Sequence, residues 1–420
     1  MKIRYRLITI LTIGIILLMQ QFGYTQANQS YLQKTGVADS LYSQILSESR
    51  KIYIQLPASY NPEKNQKYPV VYILDGEVFL PTLSDVQNYY SGGFTPEMVL
   101  VGISNDKNRL RDLTTSTIKT KYGMPFNEEN GEAENFISFI AKELIPYIEK
   151  KYPVTNYRTL IGHSYGGLFT IYTLLKHPYL FANYLAIDPS LDWDDQKLLI
   201  EAQGILASQT FNHKSLFMSL GGQLHMQNSD ITINNVMQDT TDFTLFARSN
   251  IAFSNLVRQN TKNSLSFDWK FYPRDLHGTI PFPSIMDGMI SLFDWYQMEN
   301  TDKINDFDTP KEELLSIIKY REKKLKDHFG YAEAPYPEEL LNMSGYMNRD
   351  MQQLDKAKMY FELALEYYPE SANAFDSMAE YYEAEGDIKT AIEYLNKAFE
   401  LSANDYFKKR IEALKAKIKN

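Results

Sequence analysis

The apolar run Thr159-Leu160-Ile161 passes directly into Gly162-His163-Ser164-Tyr165-Gly166-Gly167, and Leu168 to Lys176 then takes up a helical pattern. A serine on a sharp turn between a strand and a helix is the G-x-S-x-G elbow in its expected context. The turn requires small neighbours two positions either side of the serine, because strand and helix cross closely there. The backbone N–H of Tyr165 then points to where an oxyanion would develop, helped by the positive end of the following helix. The motif therefore demands a buried strand, a covering helix and a site between them.

The surrounding chain supplies such elements. From about residue 40 to 300, strand-like and helix-like segments alternate. Lys51 to Leu56 alternates polar and apolar residues, as a half-exposed strand does, whereas Val70 to Leu74 and Val99 to Ile103 are continuous apolar runs suited to strands buried on both faces. Further strands are predicted at Arg158 to Ile161, Tyr184 to Ile187, Ser215 to Leu220 and Ser266 to Tyr272. Phe136, Ile140, Leu144 and Ile148 recur every four residues, and a second periodic stretch runs from Ile285 to Trp295. This order implies an α/β fold, a mostly parallel sheet flanked by helices, with its site at the carboxyl ends of the strands.

A serine hydroxyl needs a base to take its proton. Of the six histidines, His277 fits best: the strand-like Trp269 to Tyr272 leads into Pro273-Arg274-Asp275-Leu276-His277-Gly278, and a helical pattern follows. His163 reads as packing beneath the elbow, and His225 is the rival base. No metal and no organic cofactor are needed for this chemistry. The absence of cysteine excludes a thiol nucleophile, a disulfide framework and a thiolate metal site.

Residues 40 to 298 resemble the enterochelin-esterase and esterase-D-like branch of the α/β-hydrolases. The resemblance rests on Gly-His-Ser-Tyr-Gly-Gly, Tyr72-Ile73-Leu74-Asp75-Gly76, Val101-Gly102-Ile103 with Arg109 to Thr114, Asp188-Pro189-Ser190-Leu191 with Trp193, and the His277 segment. It implies a second oxyanion N–H at Glu77 or its neighbour. It puts Arg109 and Arg111 where relatives bind polar parts of a substrate, although ion pairs to Asp75 or Asp112 account for them equally well. Trp193 is expected in the acyl or alcohol pocket, or as ordinary core. Many relatives carry an acid after the strand matching Ser215 to Leu220, but here that loop reads Gly221-Gly222-Gln223-Leu224-His225-Met226. Asp239 is the expected third member, with Asp230, Asp242 or a plain serine-histidine dyad as alternatives.

The composition changes after residue 300. Residues 300 to 335 read as a linker and connecting helix, and 336 to 420 as a small all-α helical-repeat domain, leaving 28 to 299 for the hydrolase. Ala357 pairs with Ala391, Tyr360 with Tyr394 and Ala364 with Ala398, each at about 34 residues, which resembles the tetratricopeptide period. Pro335 or Pro337 opens the first repeat, Pro369 closes its second helix, and Asp405 to Lys419 looks like a cap helix. Two repeats and a cap are marginal alone, so the tail is expected to dock on the hydrolase, and it offers a surface for a protein partner.

Lys2, Arg4 and Arg6 precede an apolar run from Leu7 to Met19, and Thr25-Gln26-Ala27 follows, so residues 1 to 27 read as a secretory signal. Export to the periplasm or medium is expected, with no stable membrane span after cleavage. The formal charge of −9 argues against a nucleic-acid binder, which needs a basic stripe. The expected activity is carboxylic ester hydrolysis through an acyl-enzyme at Ser164. Siderophore lactones, acylated saccharides and simple acyl esters all fit as substrates. The competing readings are an inactive hydrolase-fold binding module, and an acyltransferase or peptidase with the same constellation.

Overall fold

The computed structural model describes residues 36–419 apart from 64, 65 and 122; the expected signal at 1 to 27 lies outside the described residues. The continuous apolar runs become the middle of an eight-stranded sheet. β3 (Tyr68–Leu74), β4 (Val99–Ile103) and β8 (Asn183–Ile187) are buried along their whole length, as strands covered on both faces must be. β2 (Glu48–Gln55) and β10 (Leu265–Tyr272) alternate in burial instead. β1 (Val37–Ser43) is an edge strand that the hydropathy pattern did not reveal, since one face is solvated and the other only half covered. A short hairpin, β5 (Thr120–Lys121) with β6 (Met124–Pro125), stands apart from the sheet.

With β7 (Val154–His163) and β9 (Lys214–Gly221), the strand order is β1-β2-β4-β3-β7-β8-β9-β10. β1 and β2 run antiparallel to their neighbours, and every pairing from β4 to β10 is parallel. All the expected strands are therefore present, and the α/β-hydrolase class stands. The register brings the site together. His163 pairs with Ile187, Ile187 with Ser219, and Gly221 with Tyr272, so the residues that follow these strands emerge side by side at one edge of the sheet.

Phe136, Ile140, Leu144 and Ile148 are all buried. A strict four-residue spacing drifts around a 3.6-residue helix. Here a π-helical turn at Ile140–Leu144 lies between the helices Ala133–Phe139 and Ile145–Lys151, and its wider turn rotates the stripe back toward the sheet. The elbow is set by glycine. A Cβ on Gly162 would sit 2.1 Å from the carbonyl oxygen of Gly166, and one on Gly167 would sit 2.9 Å from Pro189 Cα. At Gly166, the expected small neighbour, a Cβ would meet Leu74 at 3.5 Å and Asp75 Oδ2 at 3.8 Å, ordinary contacts. The tight positions are thus two before and three after the serine.

The chain divides into two compact units at Gln297 and Met298. In the second unit the repeats are the helix pairs Glu338–Asp350 with Leu354–Tyr367, and Ala372–Ala384 with Ile388–Ser402. Ala357, Ala364, Ala391 and Ala398 are fully buried, where small side chains let helices approach. The helix Lys311–Phe329 is more than a connector, because Leu314 and Ile318 share a core with Leu341, Met359 and Leu363. Asp405–Lys419 packs Phe407, Ile411 and Leu414 against Leu395 at the other end. A flanking helix thus covers the repeats at each end. Among the described residues no helix is long and apolar enough to cross a membrane.

Two glycine replacements should change stability in opposite directions. Gly162→Ala forces a backbone clash and should cost several kcal/mol, on the order of 3 or more. Gly204→Ala, at an exposed position of the helix Trp193–Ser208 with nothing within 4 Å of the added methyl, should gain roughly 0.5–1 kcal/mol. Urea melts of both variants check this, and a neutral Gly162→Ala would contradict the elbow geometry.

Candidate active site

Ser164 follows β7 with φ 59° and ψ −116° and leads into the helix Tyr165–Lys176. Positive φ at a serine is strained, and backbone bonds on both sides hold it: Ser164 N–H donates to Ile187 O at 2.9 Å, and Ser164 O accepts from Leu168 N and Ser190 N at 2.9 and 3.0 Å. The side chain is thereby turned toward His277. Ser164 Oγ lies 3.0 Å from His277 Nε2.

His277 sits on the loop after β10. Gly222 N–H donates to Asp275 O at 2.7 Å, and Leu276 N–H donates to Thr279 Oγ1 at 3.0 Å. Gly222 has no room for a side chain, since a Cβ there would meet Pro273 O at 2.3 Å. The ring is fixed from its other nitrogen, with His277 Nδ1 2.6 Å from Asp188 Oδ2. Asp188 directly follows β8, is 2% exposed, and takes the Gly221 N–H on its second oxygen at 2.9 Å. A carboxylate only accepts, so the proton of this contact is on Nδ1, and Nε2 presents its lone pair to the serine.

The carboxylate that His277 meets is therefore Asp188 and not the expected Asp239. Asp239 is half-buried and engaged locally: its Oδ1 accepts from Thr241 N, Thr241 Oγ1 and Thr244 Oγ1 at 2.8, 2.6 and 2.9 Å. These bonds hold its carboxyl below the usual range and build a turn ahead of the helix Leu245–Gln259, the capping role that an Asp at such a position suits. Asp230, Asp242 and Gln223 are exposed. His225 accepts from Gln227 N and Asn228 N at 3.0 and 2.9 Å through Nδ1, so the rival base serves its own loop. The signal missed in the sequence is positional: Asp188 is the first polar residue after an apolar strand that borders the serine strand.

Glu77 is exposed at the start of the helix Gly76–Tyr90, which follows Asp75 in the left-handed conformation at φ 52°. The first N–H groups of such a helix have no acceptor within it. This helix start is tied to the elbow: Arg109 Nε and Nη2 grip Asp75 Oδ1 and Oδ2 at 2.8 and 2.9 Å, and Nη2 also donates to His163 O at 3.1 Å. Arg109 thus clamps protein to protein. Arg111 likewise pairs with Glu48 and the buried Asp112 at 2.9 and 2.8 Å, and Arg50 reaches Asp112 at 2.7 Å. The ion-pair account of both arginines holds.

Trp193 is 2% exposed and donates Nε1–H to Ser116 O at 3.0 Å, so it is core and not a free pocket wall. It carries Tyr165 edge-on at 5.4 Å between ring centroids, and Lys121 donates to Tyr165 Oη at 2.8 Å. Tyr165 is thus held from two sides. It borders a cleft of about 490 Å³ with Arg109, Arg111, Glu128 and Glu129. On the other side of His277 the surroundings are apolar, with Phe246 edge-on at 5.4 Å and Leu276 half-exposed.

The comparisons with known proteins agree with this fold. Residues 43–242 match the "Putative esterase" family, and residues 338–371 and 372–405 match the tetratricopeptide repeat. The fold of this part of the chain is that of an α/β-hydrolase. The family match contains Ser164 and Asp188 and ends before His277. Ferri-bacillibactin esterase BesA of Bacillus subtilis is 33% identical over 171 residues, covering 36% of this chain and 58% of that protein. The siderophore enterobactin esterase of Emericella nidulans is 37% identical over 107 residues, covering 24% and 35%. The chain thus spans less than two thirds of the length of these curated relatives. The crystal structure of an IroE-like serine hydrolase from Shewanella oneidensis superposes with a TM-score of 0.63 at 27% identity, covering 79% of this chain and 99% of that one.

Among the described residues, ligand atoms close enough together to hold a metal occur at His163, Asp188 and His277, within 4.8 Å of one another; two of these are already bonded to each other. His163 packs under His277 with ring centroids 4.6 Å apart. Burial pushes its imidazole down to about 3, and the charges of His277 and Arg109 add to the effect. Between pH about 6.5 and about 3 the unfolded chain takes up a proton here that the folded chain refuses, so this residue makes stability fall as pH is lowered. His163→Gln should therefore melt with a shallower loss between about pH 7 and pH 4 than the parent protein. Parallel curves would contradict the buried neutral imidazole.

Proposed function

We propose that this protein hydrolyses carboxylic esters through an acyl-enzyme at Ser164. The observation that carries the reading is the chain of contacts from Ser164 Oγ to His277 Nε2 at 3.0 Å and from His277 Nδ1 to Asp188 Oδ2 at 2.6 Å. In the first half-reaction Oγ attacks the ester carbonyl carbon, and its proton passes to Nε2. The carbonyl π electrons move to the oxygen, which receives the N–H of Tyr165 and one at the Gly76–Glu77 turn. Collapse of this intermediate breaks the bond to the alcohol, which leaves with the proton from Nε2. Water then repeats the sequence against the acyl-serine, freeing the acid and restoring Oγ–H. Asp188 holds the imidazole in the required tautomer and stabilises its charged form.

Siderophore esters are the substrate class we favour, because both curated relatives are named for them. The mixed-charge cleft of about 490 Å³ beside Tyr165 suits a polar small molecule. The tetratricopeptide unit, a fold that stacks helices into binding surfaces, is proposed to take a protein partner. Export follows from the basic and then apolar character of residues 1 to 27.

A fluorophosphonate probe with peptide mapping tests the chemistry, and turnover of a catecholate trilactone, an acylated saccharide and a simple acyl ester ranks the substrates. Labelling at Ser164 is expected, with hydrolysis fastest on the lactone. Ser164→Ala should lose labelling and at least about a thousandfold in kcat. Unchanged hydrolysis in that variant would end the proposal.

A further inference from the structure

The loop after β8 carries a second hydroxyl to the site. Ser190, 6% exposed, has its Oγ 3.3 Å from Ser164 Oγ, two residues beyond the Asp188 that holds His277. Proton bookkeeping gives this contact a direction. The Asp188 carboxylate can only accept, so the imidazole proton is on Nδ1 and Nε2 is an acceptor. Ser164 has one hydroxyl proton, and the 3.0 Å contact with Nε2 takes it. The proton in the Oγ···Oγ contact therefore belongs to Ser190.

We propose that Ser190 is a hydrogen-bond donor to the nucleophilic oxygen of Ser164, assisting both its attack and its departure. The inference rests on the acyl-enzyme reading. At 3.3 Å the bond is long for two hydroxyls, whose usual separation is about 2.7–2.8 Å, so it contributes little in the resting site. It strengthens when charge builds on Ser164 Oγ, as the proton moves to Nε2 before the bond to carbon is complete. The same charge reappears when the acyl-serine intermediate collapses and Oγ leaves. An interaction stronger in the transition state than in the ground state raises kcat without changing substrate affinity. Once Oγ is acylated it is a poor acceptor, and the donor is released until the reverse step.

The position of the loop does not depend on this hydroxyl. Ser190 N–H donates to Ser164 O at 3.0 Å, Asp188 N–H donates to Ser219 O at 3.0 Å, and Asn250 Nδ2 donates to Pro189 O at 2.8 Å. Removing Oγ therefore leaves the backbone held.

The test uses the full chain with Ser190→Ala and Ser190→Thr, reading steady-state kinetics, the second-order rate of fluorophosphonate labelling and the melting temperature. Ser190→Ala is expected to lower kcat and the labelling rate by about tenfold to a hundredfold, the range for a lost bond to a charged oxygen. KM and the melting temperature should stay unchanged, and Ser190→Thr, which keeps the hydroxyl, should recover most of the rate. Unchanged kcat and labelling in Ser190→Ala would overturn the proposal, as would a loss accompanied by a lower melting temperature that Ser190→Thr fails to rescue. Failure of the acyl-enzyme reading itself is distinguishable, because Ser164→Ala would then retain hydrolysis.

Discussion

The site depends on one close approach of backbone to backbone. Gly162 lets the helix Tyr165–Lys176 begin where any side chain would strike the carbonyl of Gly166, and only that crossing turns Ser164 to φ 59° and out over the strand ends. The strain is held by hydrogen bonds to the β8 strand and its loop, through Ile187 O and Ser190 N. Serine placement and acid placement are thus one construction: the backbone that restrains Ser164 also leads into Asp188.

Sheet register then does the remaining alignment. β7, β8, β9 and β10 are consecutive parallel neighbours, and each contributes at its carboxyl end: Ser164 after β7, Asp188 after β8, Gly221 at the end of β9, His277 in the loop after β10. Gly221 N–H fixes the second oxygen of Asp188, so the acid cannot rotate away from the imidazole without giving up a buried bond. Arg109 performs a comparable task on the other flank, tying the Asp75 turn to His163 O. Both cases place charged groups in the service of backbone geometry, and the buried pairing of Arg50 and Arg111 with Asp112 follows the same pattern.

Much of this was legible in the sequence because burial on both faces leaves uninterrupted apolar runs, and Val70 to Leu74 or Tyr184 to Ile187 can hardly be anything else. The elbow was legible because its glycines are steric necessities, although the strict positions are Gly162 and Gly167 and not Gly166. β1 was not, since an edge strand with one solvated face carries a weak pattern. That His277 Nδ1 meets Asp188 and not Asp239 was hidden for a different reason. An Asp before a helix is equally suited to bonding its own turn, which is what it does with Thr241 and Thr244, and sequence alone does not reveal that Asp188 stands one strand nearer the serine. Trp193 was similarly ambiguous until its indole N–H was found bonded to Ser116 O inside the core.

Comparing Asp188→Asn with Asp239→Asn in the same ester assay tests the central claim most directly. An amide at 188 keeps the size but can donate to Nδ1, which favours the wrong tautomer and cannot balance the imidazolium, so kcat should fall by about a hundredfold to ten-thousandfold. Asp239→Asn should turn over at nearly the parent rate, because an amide oxygen still accepts from Thr241 and Thr244. The reverse ranking, or equal near-normal rates in both variants, would contradict the assignment of Asp188 as the residue that orients His277.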